Sequence, residues 1–355
     1  MTQIGVALVG AGFIADYHLA GLSAVPEAAV KVIVGRTRAR AAALARRFGV
    51  ADVEVDLDAA LARDDIDAII ITTPDDTHEQ IAIRSAAAGK AILLQKPMAT
   101  SSAACRRIIA EASRAGVDLQ VSFMHRHFPE VVAARQLLAD GAIGEVISVR
   151  IRNATPGPDW GDWFFKRDRC WGGVVLQLGV HGIDLIGHLV GPIDAVSART
   201  ATLLKERRLA DGRMVEVENA DSAWCTYETA QGCVASHEIS MIEVQGCDRF
   251  RCEIYGTKGT IWLRTERGPL SIFAPDAMGS AAWSCPELPD IAPGERQHRL
   301  WIDGLLGRAL PEDTAVAALR GLLVAEAIGR SADRGGCRER VEPVDGAGVR
   351  CASRS

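Results

Sequence analysis

The apolar run Ile4-Gly5-Val6-Ala7-Leu8 passes directly into Val9-Gly10-Ala11-Gly12-Phe13-Ile14-Ala15-Asp16, a sequence for a buried strand, a glycine turn and a helix. Gly10 allows the tight turn, Gly12 lets backbone approach a pyrophosphate, and the small Ala15 lets the helix pack close to the strand. Phosphate oxygens then meet the unpaired N–H groups and positive dipole end of that helix. A chain opening this way is expected to bind a nicotinamide or flavin nucleotide through Gly10, Gly12, Phe13 and Ile14. The pattern gains weight from its context, since glycine-rich turns without a strand before and a helix after match it by chance.

The 355 residues exceed one ordinary core and suit two domains. A net charge of -5 without any block of like charge gives no reason to expect nucleic acid, so small molecules or further copies of the chain are the expected partners. Nine scattered cysteines, odd in number and without a C-x-x-C pair, indicate neither a disulfide framework nor a zinc knuckle. Met1 to Gln3 lead straight into the first strand with no basic n-region, and no apolar run approaches a membrane span, which reads as a cytoplasmic protein without membrane contact.

Strand patterns at Val30–Val34, Ala68–Thr72, Ala91–Leu94 and Asp118–Phe123 alternate with Ala/Arg-rich helical stretches. Strands spaced by helices imply a doubly wound parallel sheet with ligands at the carboxyl ends of its strands. After Phe123 the pattern changes to a helix at Glu130–Ala139 and strands at Glu145–Arg152, Ala195–Thr202, Ala220–Tyr227, Cys233–Met241, Phe250–Tyr255 and Thr260–Arg264, with helices resuming near Gln297 and Asp313. The expected class is α/β: a dinucleotide-binding Rossmann domain over residues 1–124, then an α+β domain with a mostly antiparallel sheet over residues 125–355.

The loop after the second strand selects between nucleotides, because an acid there bonds the adenosine ribose whereas an arginine tolerates a 2′-phosphate. No acid lies between Glu27 and Asp52, and the strand ends in Gly35-Arg36-Thr37-Arg38. Arg36 is placed to pair with a phosphate and Thr37 to add a hydroxyl, favouring NADP over NAD.

Three segments carry a wider resemblance: Thr72-Thr73-Pro74-Asp75-Asp76-Thr77-His78, Gly89-Lys90-Ala91-Ile92-Leu93-Leu94-Gln95-Lys96-Pro97, and Gly172-Gly173-Val174-Val175-Leu176-Gln177-Leu178-Gly179-Val180-His181-Gly182-Ile183-Asp184. Together with the nucleotide turn they resemble the Gfo/Idh/MocA oxidoreductase family over nearly the whole chain. The resemblance implies action on hydroxyl or keto groups of sugars and cyclitols with NAD or NADP, and an open-faced sheet in the second domain that makes homodimers or homotetramers. It assigns Thr73, Pro74, His78, Gln95 and Lys96 to the cofactor side, with Arg126 near the substrate. Lys96 corresponds to the catalytic lysine and His181 to a second acid/base or orienting residue. The chemistry supplies a reason for a lysine there. Hydride leaves a carbinol carbon only as its hydroxyl loses a proton, and an ammonium beside a cationic nicotinamide is pushed towards the neutral base.

His181, Asp184 and His188 share one face of a helix expected to start near Gly173. Two histidines seven apart with one carboxylate between them read as a hydrogen-bonded stripe rather than a metal set. The sequence departs from the family pattern at two places: the usual Glu-Lys-Pro is Gln95-Lys96-Pro97, and the aspartate four residues before the histidine is Gln177. Amides supply no negative charge to hold a lysinium or imidazolium, so both bases are expected to lose their protons more readily.

The segment from Asn153 to Lys166 is rich in aromatics for a chain with 5% of them. Trp160 and Trp163 are candidates for stacking on the C–H faces of a sugar, with Asp159, Asp162 and Lys166 bonding its hydroxyls; a hydrophobic plug is the alternative. His125-Arg126-His127 falls where the chain crosses between domains. Two other functions fit the same motifs: a glycosidase that recycles its nucleotide through transient oxidation and elimination, and a non-enzymatic nucleotide sensor.

Overall fold

The computed structural model describes residues 3–244, 250–265 and 267–344; Cys247 and Cys351 lie outside them. The chain forms two compact units, one holding Met1–His127 with Ile291–Leu319, the other Phe128–Asp290 with Arg320–Pro343.

The first unit alternates β1 (Ile4–Val9), α1 (Ala15–Ser23), β2 (Ala28–Val34), α2 (Arg38–Phe48), β3 (Asp52–Glu54), α3 (Leu57–Leu61), β4 (Ala68–Ile71), α4 (His78–Ala87), β5 (Ala91–Gln95), α5 (Ser102–Ala115) and β6 (Leu119–Ser122). All neighbours are parallel in the order β3-β2-β1-β4-β5-β6. This is the doubly wound order, with strand order reversing between β1 and β4. The strands are apolar on both faces because helices cover both, and Ile69, Ile70 and Ile71 are fully buried. Helix ends follow local chemistry: the Ser101 hydroxyl accepts from the Ala104 N–H and caps α5, while Gly49 and Gly116 close α2 and α5 in the left-handed conformation.

The second unit contains α6 (Pro129–Ala139), β7 (Val146–Ala154), α7 (Val180–Leu189), β8 (Ile193–Ala201), the hairpin β9 (Glu206–Arg208) and β10 (Met214–Glu216), β11 (Ser222–Thr229), β12 (Val234–Ser240), β13 (Phe250–Gly256), β14 (Thr260–Thr265), β15 (Gly268–Phe273) and the short α8 (Pro275–Met278). With β16 (Glu339–Arg340) these make an eight-stranded sheet ordered β15-β14-β13-β7-β12-β11-β8-β16, antiparallel except where β12 meets β7. Burial alternates along β11 and β12, so one face is covered and the other meets solvent. Among the described residues no helix is long and apolar enough to cross a membrane.

Helix α9 (Pro293–Leu305) departs from the simple cut at 124/125. Its Trp301 and Ile302 are buried in one cluster with Val6, Leu8, Leu19 and Ile33, so the chain returns to the first unit after completing most of the second. Gly21 of α1 permits this approach, because a Cβ there would press on the Gly294 backbone. Sequence periodicity marks α9 as amphipathic without saying which core receives it. Helix α10 (Thr314–Asp333) then carries the chain back.

Candidate active site

The nucleotide turn sits at the carboxyl end of β1. Gly10 adopts φ +112°, and a Cβ there would lie 2.7–2.8 Å from Thr72 atoms, so glycine is required by backbone conformation and by the neighbouring strand end. The Thr72 hydroxyl fixes this junction by donating to the Val9 or Gly10 carbonyl, each 3.1 Å away. A Cβ at Gly12 would meet no protein atom within 4 Å. Phe13 is 74% exposed, Ile14 is half-buried, and Ala15 is fully buried where α1 packs on the sheet. Arg36 and Thr37 are exposed just beyond β2, and Thr37 precedes α2 without capping it through its side chain.

Lys96 follows β5 and is half-buried; the Lys96–Pro97 peptide is cis. The buried Gln95 turns its Oε1 back to accept the Lys96 N–H at 2.8 Å. His78 is fully buried, with Nδ1 2.9 Å from the Pro97 carbonyl and Nε2 2.8 Å from the Thr73 carbonyl. It therefore ties the loop after β4 to the turn after Lys96. The half-buried Thr73 bonds the Thr77 hydroxyl at 2.7 Å, closing the turn that carries Pro74. Arg126 is also held in the first unit, its guanidinium 3.8 Å from Glu312 and over the Phe123 ring.

Three buried histidines reinforce this unit. His298 on α9 has Nδ1 2.6 Å from the Gly294 carbonyl, so that nitrogen carries the proton and Nε2 accepts from His18 Nδ1 at 2.9 Å. Burial holds His18 well below the ordinary range, helped by His298, and holds His298 down to about 4. His127 is lowered to about 3 by burial and by the Arg126 charge. All three are neutral at physiological pH.

In the second unit the chain is helical from residue 173, passes through a π turn at Val175–Gly179 and continues as α7, as expected of a helix starting near Gly173. π turns recur at functional sites because they shift side chains out of α-helical register. Gln177 lies in this turn, and His181 and Asp184 are buried on α7. Gly182 brings α7 against the sheet, since a Cβ would lie 2.5–2.6 Å from His237 and Asn153 atoms. Below it Tyr227 Oη lies 3.1 Å from His237 Nδ1, and His237 Nε2 lies 2.9 Å from Asn153 Oδ1. Burial lowers His237 to about 3, so the ring is neutral and Tyr227 donates to it. His188 meets Arg135 of α6 at 3.3 Å, outside the buried His181 and Asp184 pair. Among the described residues no group of three His, Cys, Asp or Glu side chains could hold a metal ion.

The Asn153–Lys166 segment divides. Trp160 is 59% exposed and meets Phe164 edge-on, whereas Trp163 stacks on Phe164 with centroids 3.7 Å apart. Lys166 Nζ donates to Glu218 Oε1 at 2.6 Å and Asp162 faces Arg213 at 3.3 Å, ion pairs that anchor the segment to the chain around β10. Sequence reading missed Asn219, whose Nδ2 donates to the Cys170 carbonyl at 2.7 Å and lies 3.3 Å from that of Phe164. It also missed the bracing role of His78 and the Tyr227–His237–Asn153 chain. Only the Gly172-Gly173 pair hinted at such a clamp, because a Cβ at Gly173 would strike the Ala220 carbonyl. On the solvent face of the second sheet, Arg150, Arg152, Trp224, Glu238, Arg251 and Glu253 line a depression of about 480 Å³.

A family model described as an oxidoreductase family with an NAD-binding Rossmann fold matches residues 4–123, and one for the GFO/IDH/MocA C-terminal domain matches residues 131–262. Inositol 2-dehydrogenase of Rhizobium meliloti (strain 1021) is 32% identical over 265 residues, 75% of this chain and 76% of the relative. The structure of GenD2 from gentamicin A biosynthesis in complex with NAD superposes with TM-score 0.82 at 30% identity, covering 97% of each chain. Levoglucosan dehydrogenase in complex with NADH and L-sorbose shares the fold, with TM-score 0.87 at 24% identity over 96% of this chain and 99% of that one. The chain belongs to the Gfo/Idh/MocA family of oxidoreductases, and its first unit is that family's NAD-binding Rossmann fold.

Proposed function

We propose that this protein is an NAD(P)-dependent dehydrogenase that moves a hydride between a carbinol carbon of a sugar or cyclitol and nicotinamide. The observation that carries the reading is Lys96, held half-buried at the carboxyl end of β5 by Gln95 and His78 in the same unit as the nucleotide turn. Gly10 and Gly12 admit the pyrophosphate, while Thr73 and Pro74 line the cofactor beside them. Arg36 and Thr37, exposed just beyond β2 in a stretch with no acid between Glu27 and Asp52, favour NADP. Bound nicotinamide supplies the hydride acceptor. Lys96 takes the hydroxyl proton as the hydride leaves, and His181 and Asp184 hold the reacting hydroxyl. Gln177 and Arg126 bond other hydroxyls, and Trp160 offers its exposed face to the ring. Trp163 supports the segment through Phe164. The inositol 2-dehydrogenase and levoglucosan dehydrogenase similarities support a polyhydroxylated substrate.

The test is nicotinamide reduction by purified protein offered NADP⁺ or NAD⁺ with inositols, aldoses, sugar acids and simple glycosides. Reduction with a polyol supports the reading. Aglycone release without net reduction assigns the recycling glycosidase, and nucleotide binding without turnover assigns the sensor. Gln95→Glu should raise the apparent pKa governing the rate, since a carboxylate stabilises lysinium; an unchanged or lowered value contradicts the role given to the amide. The proposal includes a homo-oligomer formed through the solvent face of the second sheet, supported by Trp224, which is 47% exposed among paired charges. Light scattering should show Trp224→Asp smaller than wild type, and equal masses would remove this face from the interface.

A further inference from the structure

We infer that Cys170 is a positioning residue for substrate recognition, acting through Gln177. The inference rests on the dehydrogenase reading and deepens it, because Cys170 lies outside the three segments that carry the family resemblance. Gln177 Nε2 donates to Cys170 Sγ at 3.1 Å. The sulfur is itself fixed. Cys170 is 1% exposed, its N–H donates to the Lys166 carbonyl at 2.9 Å, and its carbonyl accepts from Asn219 Nδ2 at 2.7 Å. Asn219 is 5% exposed, and Val174 donates to the adjacent Ala220 carbonyl at 2.9 Å, so one stretch of backbone before β11 holds both the thiol loop and the start of the helix.

The amide answers to the sulfur in a way that a carboxylate does not. A carboxylate offers only acceptors, whereas Gln177 donates an N–H to a sulfur lone pair and thereby turns its Oε1 away from Cys170. That oxygen is a neutral acceptor for a substrate O–H. The π turn adds placement: its wider turn advances each residue by a smaller angle than an α-helix, so Gln177 comes nearly into line with His181, four residues on. The thiol thus sets the rotation of an amide whose place along the helix is set by the turn. The ligand group is a hydroxyl next to the one oxidised on the same ring.

Binding and turnover of an inositol that wild type oxidises would be compared in wild type, Cys170→Ala, Cys170→Ser and Gln177→Ala. Cys170→Ala releases one neutral hydrogen bond and should raise KM and the inositol Kd about two- to tenfold, with nicotinamide affinity unchanged and kcat changed less than KM. Cys170→Ser retains an acceptor for the amide and should restore most of the affinity. On a Gln177→Ala background, Cys170→Ala should have no further effect on KM. Equal KM for Cys170→Ala and wild type, or equal loss in the alanine and serine variants, overturns the positioning role while leaving the dehydrogenase in place. A wild type that neither binds nor oxidises any inositol or sugar overturns the dehydrogenase reading and this inference with it.

Discussion

The turn after β5 and the turn before α7 both present a polar side chain, and they are held by different means. Lys96 is fixed by neighbours within twenty positions: Gln95 bonds its N–H, and His78 bonds the next carbonyl. Gln177 depends on Cys170, and Cys170 on Asn219, forty-nine residues away. A parallel strand and its following loop make a local device that one stretch of sequence encodes. The second site is assembled by a loop clamped to the approach of a distant strand, so its geometry rests on contacts whose partners share no motif.

The largest expected effect tests the local device. Lys96→Ala should lower kcat by about 10²- to 10⁴-fold, the contribution of a positioned acid/base, while nicotinamide binding persists. A kcat within threefold of wild type would remove Lys96 from the chemistry.

The glycine turn sharpens the comparison by separating backbone demand from ligand demand. Gly10→Ala meets a positive φ and Thr72 together, so it should destabilise the first unit by about 1–3 kcal/mol and abolish nucleotide binding. Gly12→Ala meets no protein atom and should leave thermal stability unchanged while weakening nucleotide binding. Equal stability losses in the two variants, read by thermal unfolding without nucleotide, would contradict this division.

Acid should also distinguish the units. His18, His127 and His298 sit neutral in the first unit with depressed affinity for protons, and His237 does so in the second. Each binds a proton more readily when unfolded, so its stabilisation is complete above the unfolded value of 6.5 and is lost as pH falls towards 4 and below. The slope is at most about 1.4 kcal/mol per pH unit for each histidine. Hydrogen exchange should therefore lose protection first in α1 and α9 as pH drops below 6.5. Earlier loss in β11 and β12 would show that these histidines do not control acid stability.

A smaller effect is expected at the cofactor's far end. Arg36→Glu should weaken NADP⁺ relative to NAD⁺ by about tenfold or more, through lost pairing and added repulsion. An unchanged ratio of Kd values would place 2′-phosphate recognition elsewhere.

Much of the first unit could be read from residues 4 to 123 because parallel strands buried on both faces appear as apolar runs, and glycine, proline and capping residues punctuate them. The short β3 was hidden, since Asp52–Glu54 offers three residues and little apolar signal. The return of α9 was hidden for another reason: an amphipathic face announces burial without naming its partner. In the second unit β7, β8 and β11 to β14 were legible, whereas β15, β16 and the β9–β10 hairpin, the last rich in charge and anchored through Lys166, Asp162 and Arg213, were not. The motif residues can be named from the sequence, but the side chains packed around them, His78 excepted, carry no spacing rule. For His78 the motif gives its position and not the two carbonyls that lie within reach of its ring nitrogens.

The most direct measurement follows the transferred atom. Wild-type protein with NADP⁺ or NAD⁺ would be given inositols or sugars deuterated at their carbinol carbons, and the nicotinamide product examined by mass spectrometry and NMR. The account predicts deuterium at the reduced nicotinamide ring carbon, with none formed by Lys96→Ala on the same timescale. Reduced nicotinamide lacking deuterium, or deuterium transfer at an undiminished rate in Lys96→Ala, would contradict it.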